Sequence, residues 1–230
     1  MLKKILDFLS VFEWILFSIS LVTVIVCFFI FDGKNYLYLS TFIIGVFYLI
    51  FCAKGHPIGQ VLVIVFAILY SIISYRYKYY GEMITYLGMT GGIAILSLIS
   101  WLKHPTSKND KTVVVNKLKI REYLFLIGLS VIVTTSFYYL LKALGTSNIV
   151  ISTISVLTSF IASYLTLRRS KYYAVAYLAN DIVLIAMWSL ASLENKAYIS
   201  VTICFVVFFV NDLYGFISWW KREQKQENHY

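Results

Sequence analysis

The sequence predicts an all-α polytopic membrane protein with eight transmembrane helices. Of its 230 residues, 60% are hydrophobic and only 13% are charged, whereas a soluble domain carries about 25% charged residues. Apolar runs close to the ~20 residues that a helix needs to cross a bilayer recur along nearly the whole chain. Together these observations exclude a soluble globular enzyme, a disordered protein and a nucleic-acid-binding domain.

The eight spans are read from these apolar runs in order. The first follows two lysines, as the core of a signal peptide does, but its apolar stretch is too long and no small-residue cleavage site follows it. We therefore keep it as a span. The predicted spans cover residues 14–31, 36–53, 57–75, 80–102, 121–141, 148–167, 172–192 and 197–219.

The basic residues predict which way the spans run, because lysine and arginine are retained on the cytoplasmic side. With the N-terminus inside, 15 of the 20 basic residues fall in cytoplasmic segments and 5 in outside segments. We therefore expect a multi-pass protein of the cell membrane with both termini cytoplasmic. The cytoplasmic set is Lys3, Lys4, Lys54, Lys103, Lys108, Lys111, Lys117, Lys119, Arg121, Arg168, Arg169, Lys171, Lys221, Arg222 and Lys225, and the outside set is Lys34, Arg76, Lys78, Lys142 and Lys196.

Neither the cysteines nor the histidines indicate a bound metal. Cys27, Cys52 and Cys204 lie in or beside apolar runs without a C-x-x-C spacing, so no disulfide framework or zinc site is indicated. The histidines lie apart, near the ends of spans. We expect no metal and no cofactor.

An internal repeat is also indicated. The one sizeable polar loop, residues 103–120, has four spans on each side. The fourth and eighth spans both close with Ile-Ser-Trp, ending at Trp101 and at Trp219, on the predicted cytoplasmic side. The alternative is that each tryptophan, together with the lysine near it, only anchors its span at the interface.

Two Asn-Asp pairs lie inside the apolar spans, Asn180-Asp181 in the seventh and Asn211-Asp212 in the eighth. Each asparagine lies about eight residues, or roughly 12 Å, from the cytoplasmic end of its span, so both pairs are expected near the bilayer midplane. A charged side chain there costs ~2.5–3.5 kcal/mol, which favours a functional role. Amides, carboxylates and nearby aromatic rings are the groups that bind sugar hydroxyls and a flat heteroaromatic base. The alternative is that these residues only join helices.

Other candidates accompany these pairs. At helical spacing, Tyr177 and Trp188 share a face of the seventh span, and Tyr214 shares a face with Asn211. Glu82 lies near the outer end of the fourth span, where it either lines an entrance or reaches the interface. The predicted binding residues are Gln60, Glu82, Thr85, Tyr86, Met89, Tyr177, Asn180, Asp181, Trp188, Asn211, Asp212 and Tyr214.

The sixth span is rich in hydroxyl side chains. Small hydroxylated residues mainly allow helices to approach closely. We therefore interpret this group as packing residues, and the alternative is that the same hydroxyls line a path through the membrane. The group comprises Thr153, Ser155, Thr158, Ser159 and Ser163.

At these residues the sequence resembles the PnuC-type transporters, which carry nicotinamide riboside and related vitamins. The match is best over residues 54–101 and 168–219. The resemblance implies two parallel three-helix bundles joined by a linking helix, as in the full-length SWEET sugar facilitators, with an extra N-terminal helix. The implied segments are the extra helix 1–31, first bundle 36–102, loop 103–120, linking helix 121–141, second bundle 148–219 and cytoplasmic tail 220–230.

The resemblance also suggests roles for individual residues. Asn180 matches the family's asparagine on the second helix of the second bundle, and Asn211 matches the asparagine that precedes Tyr-Gly on the third. The family's tryptophans one and two turns before the first asparagine are replaced here by Ala176 and Tyr173. The implied substrate is a nucleoside-shaped molecule, either nicotinamide riboside or a (deoxy)nucleoside, with thiamine or riboflavin as the alternative.

The expected mechanism is facilitated diffusion by rocking of two bundles around a site at the midplane. The sequence has no G-x-x-x-x-G-K-[ST] phosphate loop. A cytoplasmic kinase is the expected functional partner, since phosphorylation traps the solute.

The other expected partner is the lipid bilayer, and no nucleic-acid partner is expected. Whether the protein forms a homo-oligomer is left open by the sequence. Two other classes of protein are alternatives: an intramembrane aspartyl enzyme, whose G-x-G-D sequence is absent, and a vitamin-binding subunit that needs a separate ATPase.

Overall fold

The computed structural model describes residues 8–77, 79–107, 110–146 and 148–228. Within them are eight helices that are long and apolar enough to cross a membrane, which confirms the predicted fold class. Four of the basic residues in the charge count, Lys3, Lys4, Lys78 and Lys108, lie outside the described residues. The helices are α1 (Val11–Phe31), α2 (Tyr36–Ala53), α3 (Ile58–Arg76), α4 (Tyr80–Lys103), α5 (Ile120–Ala143), α6 (Ile149–Leu167), α7 (Tyr173–Glu194) and α8 (Ile199–Glu227).

The two ends of this helical array differ most from the sequence prediction. Helix α1 begins at Val11 rather than at residue 14, because Ser10 and Glu13 form a capping box. The Ser10 amide donates to Glu13 Oε2 at 2.6 Å, and the Glu13 amide donates to Ser10 Oγ at 3.3 Å. Helix α8 continues to Glu227, so most of the predicted tail is helical.

Helix α4 changes its winding in its N-terminal half. Its first turns, Tyr80–Ile84, are followed by a π-helical segment, Thr85–Thr90, before regular α-helix resumes over Gly91–Lys103. Single π turns of this kind occur often at functional sites, since they displace side chains from the regular helical register.

Six of the helices close a ring. Around it the order of contacting neighbours is α2, α3, α4, α6, α7, α8 and back to α2. Helices α2–α4, here called the first triplet, therefore meet α6–α8, the second triplet, at the α2–α8 and α4–α6 junctions. Helix α1 packs on the outside against α2 and α8, and α5 packs on the outside against α6. The interpretation of the triplets as separate bundles stays a prediction.

One end of the ring, here called the basic face, carries the loop that follows α4. In this loop the Val113 amide donates to the Gly55 carbonyl at 2.9 Å, and the Asn116 amide donates to the Arg169 carbonyl at 2.9 Å. Val113 is fully buried. The loop therefore docks onto both triplets, among basic residues at the ends of the helices such as Lys54, Lys103, Arg168, Lys171 and Arg222.

Close packing at the α2–α8 junction depends on Gly45. A Cβ atom at this position would overlap the ring of Phe208, which is buried among other aromatic rings. We expect Gly45→Ala to destabilise the protein by about 1–3 kcal/mol, as overpacking does. Thermal unfolding of the purified protein in detergent measures the effect. The matched control is Gly128→Ala on α5, where the added methyl meets open space, and equal shifts for both variants would contradict the expectation.

Candidate functional site

A cavity lies on the axis of the ring, and each of the six ring helices contributes to its wall. Its free space is about 20 Å³, room for about one water molecule. Its walls lie close together, so a solute larger than water needs them to separate. The lining residues are Tyr48, Leu49 and Cys52 on α2; Gln60, Val63 and Phe66 on α3; Tyr86 and Thr90 on α4; Thr166 on α6; Tyr173, Tyr177, Asn180 and Asp181 on α7; and Phe205, Phe208 and Asp212 on α8.

The asparagine of α7 is held in a fixed orientation by α6. Asn180 is buried, and its Oδ1 atom accepts hydrogen bonds from Thr158 Oγ1 at 2.9 Å and Ser159 Oγ at 2.8 Å. Because both hydroxyls donate to the amide oxygen, the Nδ2 group points away from α6, toward the cavity and the Tyr86 hydroxyl that also lines it. Thr158 and Ser159 therefore do more than allow packing, since they orient a polar group of the site.

Two carboxyl groups complete the polar part of the wall. Asp181 on α7 and Asp212 on α8 lie beside each other and are almost fully buried. Within the described residues, Asp181 Oδ2 has no hydrogen-bond partner. The pair therefore presents acceptor oxygens to whatever enters the cavity.

Half of the predicted binding residues line the cavity, and the other half lie outside its wall. Gln60, Tyr86, Tyr177, Asn180, Asp181 and Asp212 line the cavity. On α8 the other two predicted residues turn outward to α1. Asn211 Nδ2 donates to Ser20 Oγ at 2.8 Å, and the Tyr214 hydroxyl donates to Glu13 Oε1 at 2.6 Å.

The three remaining candidates of α4 are buried away from the cavity wall. Glu82 and Thr85 are fully buried. In the described part of the chain, the two carboxylate oxygens of Glu82 and the hydroxyl oxygen of Thr85 have no hydrogen-bond partner. Met89 packs in the apolar cluster that also contains Val63 and Phe160. None of the three lines the cavity.

Trp188 lies in a group of aromatic side chains that closes the cavity at the end opposite the basic face, here called the aromatic cap. Its Nε1 atom donates to the Tyr70 hydroxyl at 2.8 Å, and its side chain is fully buried. Tyr77, Tyr79 and Tyr198 pack around it, with ring centroids 5.2–6.0 Å away. Burial raises the pKa of Tyr77 to about 12, so this phenol stays neutral in the cap at ordinary pH.

Several lining residues were missed by sequence reasoning. Most are aromatic or apolar, such as Tyr48, Phe66 and Phe205, and they occur in runs where every face of the helix is apolar. A lipid-facing and a cavity-facing aromatic residue look alike in such a run. Cys52 and Thr166 also belong to no sequence pattern that would mark them as facing a cavity.

Comparison with known proteins shows the family. Residues 35–221 match the family model described as nicotinamide mononucleotide transporter. The chain belongs to this transporter family. The matched region begins just before α2, and α1 lies outside it.

Similar proteins agree with this membership. The nicotinamide riboside transporter PnuC of Neisseria mucosa is 24% identical over 212 residues, which cover 90% of this chain and 80% of that protein. The protein of the same name from Haemophilus influenzae is 21% identical over 178 residues, covering 77% of this chain and 76% of that protein. The crystal structure of the vitamin B3 transporter PnuC matches with a TM-score of 0.82 and 23% identity over 94% of each chain.

The predicted resemblance to the PnuC-type transporters is thus confirmed. This member of the nicotinamide mononucleotide transporter family is a multi-pass membrane protein of a transporter family rather than an enzyme. The intramembrane aspartyl enzyme is therefore set aside as an explanation of Asp181 and Asp212.

Proposed function

We propose that this protein carries a nucleoside-shaped solute, either nicotinamide riboside or a (deoxy)nucleoside, across the membrane by facilitated diffusion. The observation that carries the proposal is the axial cavity, which is lined by all six ring helices and combines an oriented amide, two carboxyl groups and aromatic rings. A site shared by both triplets can be opened to either side by their relative movement.

The polar groups suit a ribose or deoxyribose. The carboxyl oxygens of Asp181 and Asp212 accept from sugar hydroxyls, and the Asn180 Nδ2 atom donates to a ring or carbonyl oxygen. Two buried acids this close to each other share a proton, so the pair carries at most one negative charge, and a hydrogen bond from a sugar hydroxyl to the charged oxygen is among the stronger ones. The same acids favour a solute with a positively charged ring.

The base would stack on the lining aromatics. Tyr86, Tyr177 and Phe66 line the cavity, and aromatic pairs contribute about 0.5–1.5 kcal/mol beyond the area they bury. Trp188 packs in the aromatic cap rather than in the lining, so we assign the stacking to these three rings. The two similar proteins from Neisseria mucosa and Haemophilus influenzae are named nicotinamide riboside transporters, which supports this class of solute.

We further propose that the basic face is cytoplasmic. It carries Lys54, Lys103, Arg168, Lys171 and Arg222, whereas the other face of the described chain carries far fewer basic residues, and lysine and arginine are retained on the cytoplasmic side. With this orientation a cytoplasmic kinase could trap the solute, since a phosphate adds charge that cannot recross the bilayer.

A thermal-shift screen of the purified protein tests the substrate class. Nicotinamide riboside, ribonucleosides, deoxynucleosides, thiamine and riboflavin are compared at equal concentration. A ligand at 100 times its Kd stabilises the folded state by about 2.7 kcal/mol, so we expect a clear rise in melting temperature with a nucleoside-shaped solute. A rise with thiamine or riboflavin alone, or with none of the five, would contradict the proposal.

Sealed vesicles test the mechanism. Facilitated diffusion predicts that unmodified solute equilibrates across the membrane of vesicles containing the purified protein and does not rise above the outside concentration. Accumulation above that level would require a coupling ion and would overturn this part of the proposal, whereas absence of uptake by the purified chain would favour a subunit that needs a partner.

A further inference from the structure

The Ile-Ser-Trp motif of α4 joins the first triplet to the second at the basic face. Ser100 Oγ donates to the Leu167 carbonyl at 3.2 Å, and Trp101 Nε1 donates to the Thr166 carbonyl at 3.0 Å. Both acceptors lie in the last turn of α6, where backbone carbonyls have no partner within their own helix, and the Thr166 carbonyl also accepts from the Arg169 amide at 3.0 Å in the turn that follows. The motif on α4 therefore adds two hydrogen bonds to the end of α6, across the α4–α6 junction.

The same motif on α8 makes the equivalent contacts from the second triplet to the first. Ser218 Oγ donates to the Ala53 carbonyl at 2.9 Å, and Trp219 Nε1 donates to the Cys52 carbonyl at 2.8 Å. These acceptors lie in the last turn of α2, across the α2–α8 junction. Each triplet thus uses the end of its third helix to hold the end of the other triplet's first helix.

The two motifs also touch each other directly below the cavity. The rings of Trp101 and Trp219 have centroids 5.4 Å apart, and both side chains are fully buried. Two of the residues whose carbonyls they hold, Cys52 and Thr166, line the cavity. The four hydrogen bonds and the ring contact therefore lie between the cavity and the basic face.

We propose that these two Ser-Trp pairs, Ser100-Trp101 and Ser218-Trp219, are the gate that closes the cavity at the basic face. The pairs are positioning residues, since they hold the ends of α2 and α6 together and do not bind the solute. Because their rings pack on each other, breaking one pair removes support from the other, and the two junctions open together. This inference rests on the proposed carrier function, since a gate serves an alternating cavity.

Cys52 is a natural reporter of this gate. It is a free cysteine, is buried, and lines the cavity. In a protein whose other cysteines are removed by Cys27→Ala and Cys204→Ala, a membrane-impermeant thiol reagent reaches Cys52 only through an open end of the cavity. Vesicles of each orientation, sorted by a tag at the end of α8, expose either the basic face or the opposite face to the reagent.

We expect Trp101→Phe to increase the rate of Cys52 labelling from the basic face at least several-fold, with no increase from the opposite face. Trp101 donates to α6 and not to Cys52, so the effect reports the gate rather than a local change at the thiol. Trp220→Phe is the matched control, because Trp220 adjoins Trp219 but is 44% exposed, and this variant should label at the parent rate. Unchanged labelling in Trp101→Phe, or an equal increase from both faces, overturns the proposal.

A milder pair of variants covers the case in which Trp101→Phe does not fold. Ser100→Ala removes one hydrogen bond of the gate, and Ser100→Thr keeps the hydroxyl. Faster labelling from the basic face in the first and the parent rate in the second supports the gate, whereas equal rates for the two variants contradict it. Labelling needs no solute, so a failed gate and a failed substrate assignment are distinguishable.

Discussion

Asn180→Leu is expected to remove most of the stabilisation that the bound solute gives to this protein. The substitution deletes the Nδ2 donors that face the cavity and leaves Thr158 and Ser159 without the acceptor that they share. A lost hydrogen bond to a buried group weakens binding by about 1–3 kcal/mol, or roughly 5-fold to 150-fold. The measurement is the melting temperature with and without the best solute of the screen, at a fixed concentration.

Asn211→Leu is the matched control for this prediction. The substitution is the same and the residue is also buried, but Asn211 donates to Ser20 on α1 and to the Val207 carbonyl rather than facing the cavity. We expect it to lower the melting temperature of the free protein while leaving the rise caused by the solute in place. A full rise in Asn180→Leu, or its loss in Asn211→Leu, would place the site elsewhere.

Trp188→Ala is expected to cause the largest loss of stability, about 3–5 kcal/mol, as is usual for truncation of a buried tryptophan. The side chain is fully buried at the centre of the aromatic cap, and its removal leaves a void and deprives the Tyr70 hydroxyl of its donor. Thermal unfolding measures the loss. Trp220→Ala, at an exposed tryptophan, should cost far less, and comparable losses for the two variants would be inconsistent with the cap.

The sequence predicted the fold well because a membrane helix is specified by length and composition. All eight spans were found, and their bounds differ mainly where local contacts intervene. Ser10 and Glu13 extend α1 at its start. At the other end of the chain, α8 is prolonged where Lys171 pairs with Glu223 and where the Val115 amide donates to Gln226 Oε1 at 3.2 Å.

The site was predictable only in part, because a uniformly apolar sequence does not reveal how each helix is rotated about its own axis. Both Asn-Asp pairs looked equivalent, yet α7 directs Asn180 and Asp181 to the cavity, whereas α8 directs only Asp212 there. Neighbouring residues on a helix point about 100° apart, so a small rotation decides which of the two faces the axis. For α8 that rotation is fixed by contacts of Asn211 and Tyr214 with α1, more than 190 residues earlier, which no local pattern reveals.

These contacts between α1 and α8 bear on the order in which the protein is assembled. During synthesis α1 is made long before α8. The Ser20 hydroxyl therefore lacks its hydrogen bond from Asn211 until α8 has also been inserted. Chains emerge at about 5–20 residues per second, which makes this wait roughly ten seconds or more. The first and last helices thus form their mutual hydrogen bonds only at the end of synthesis. A chain whose synthesis stops before α8 would remain in the membrane without these contacts between α1 and α8.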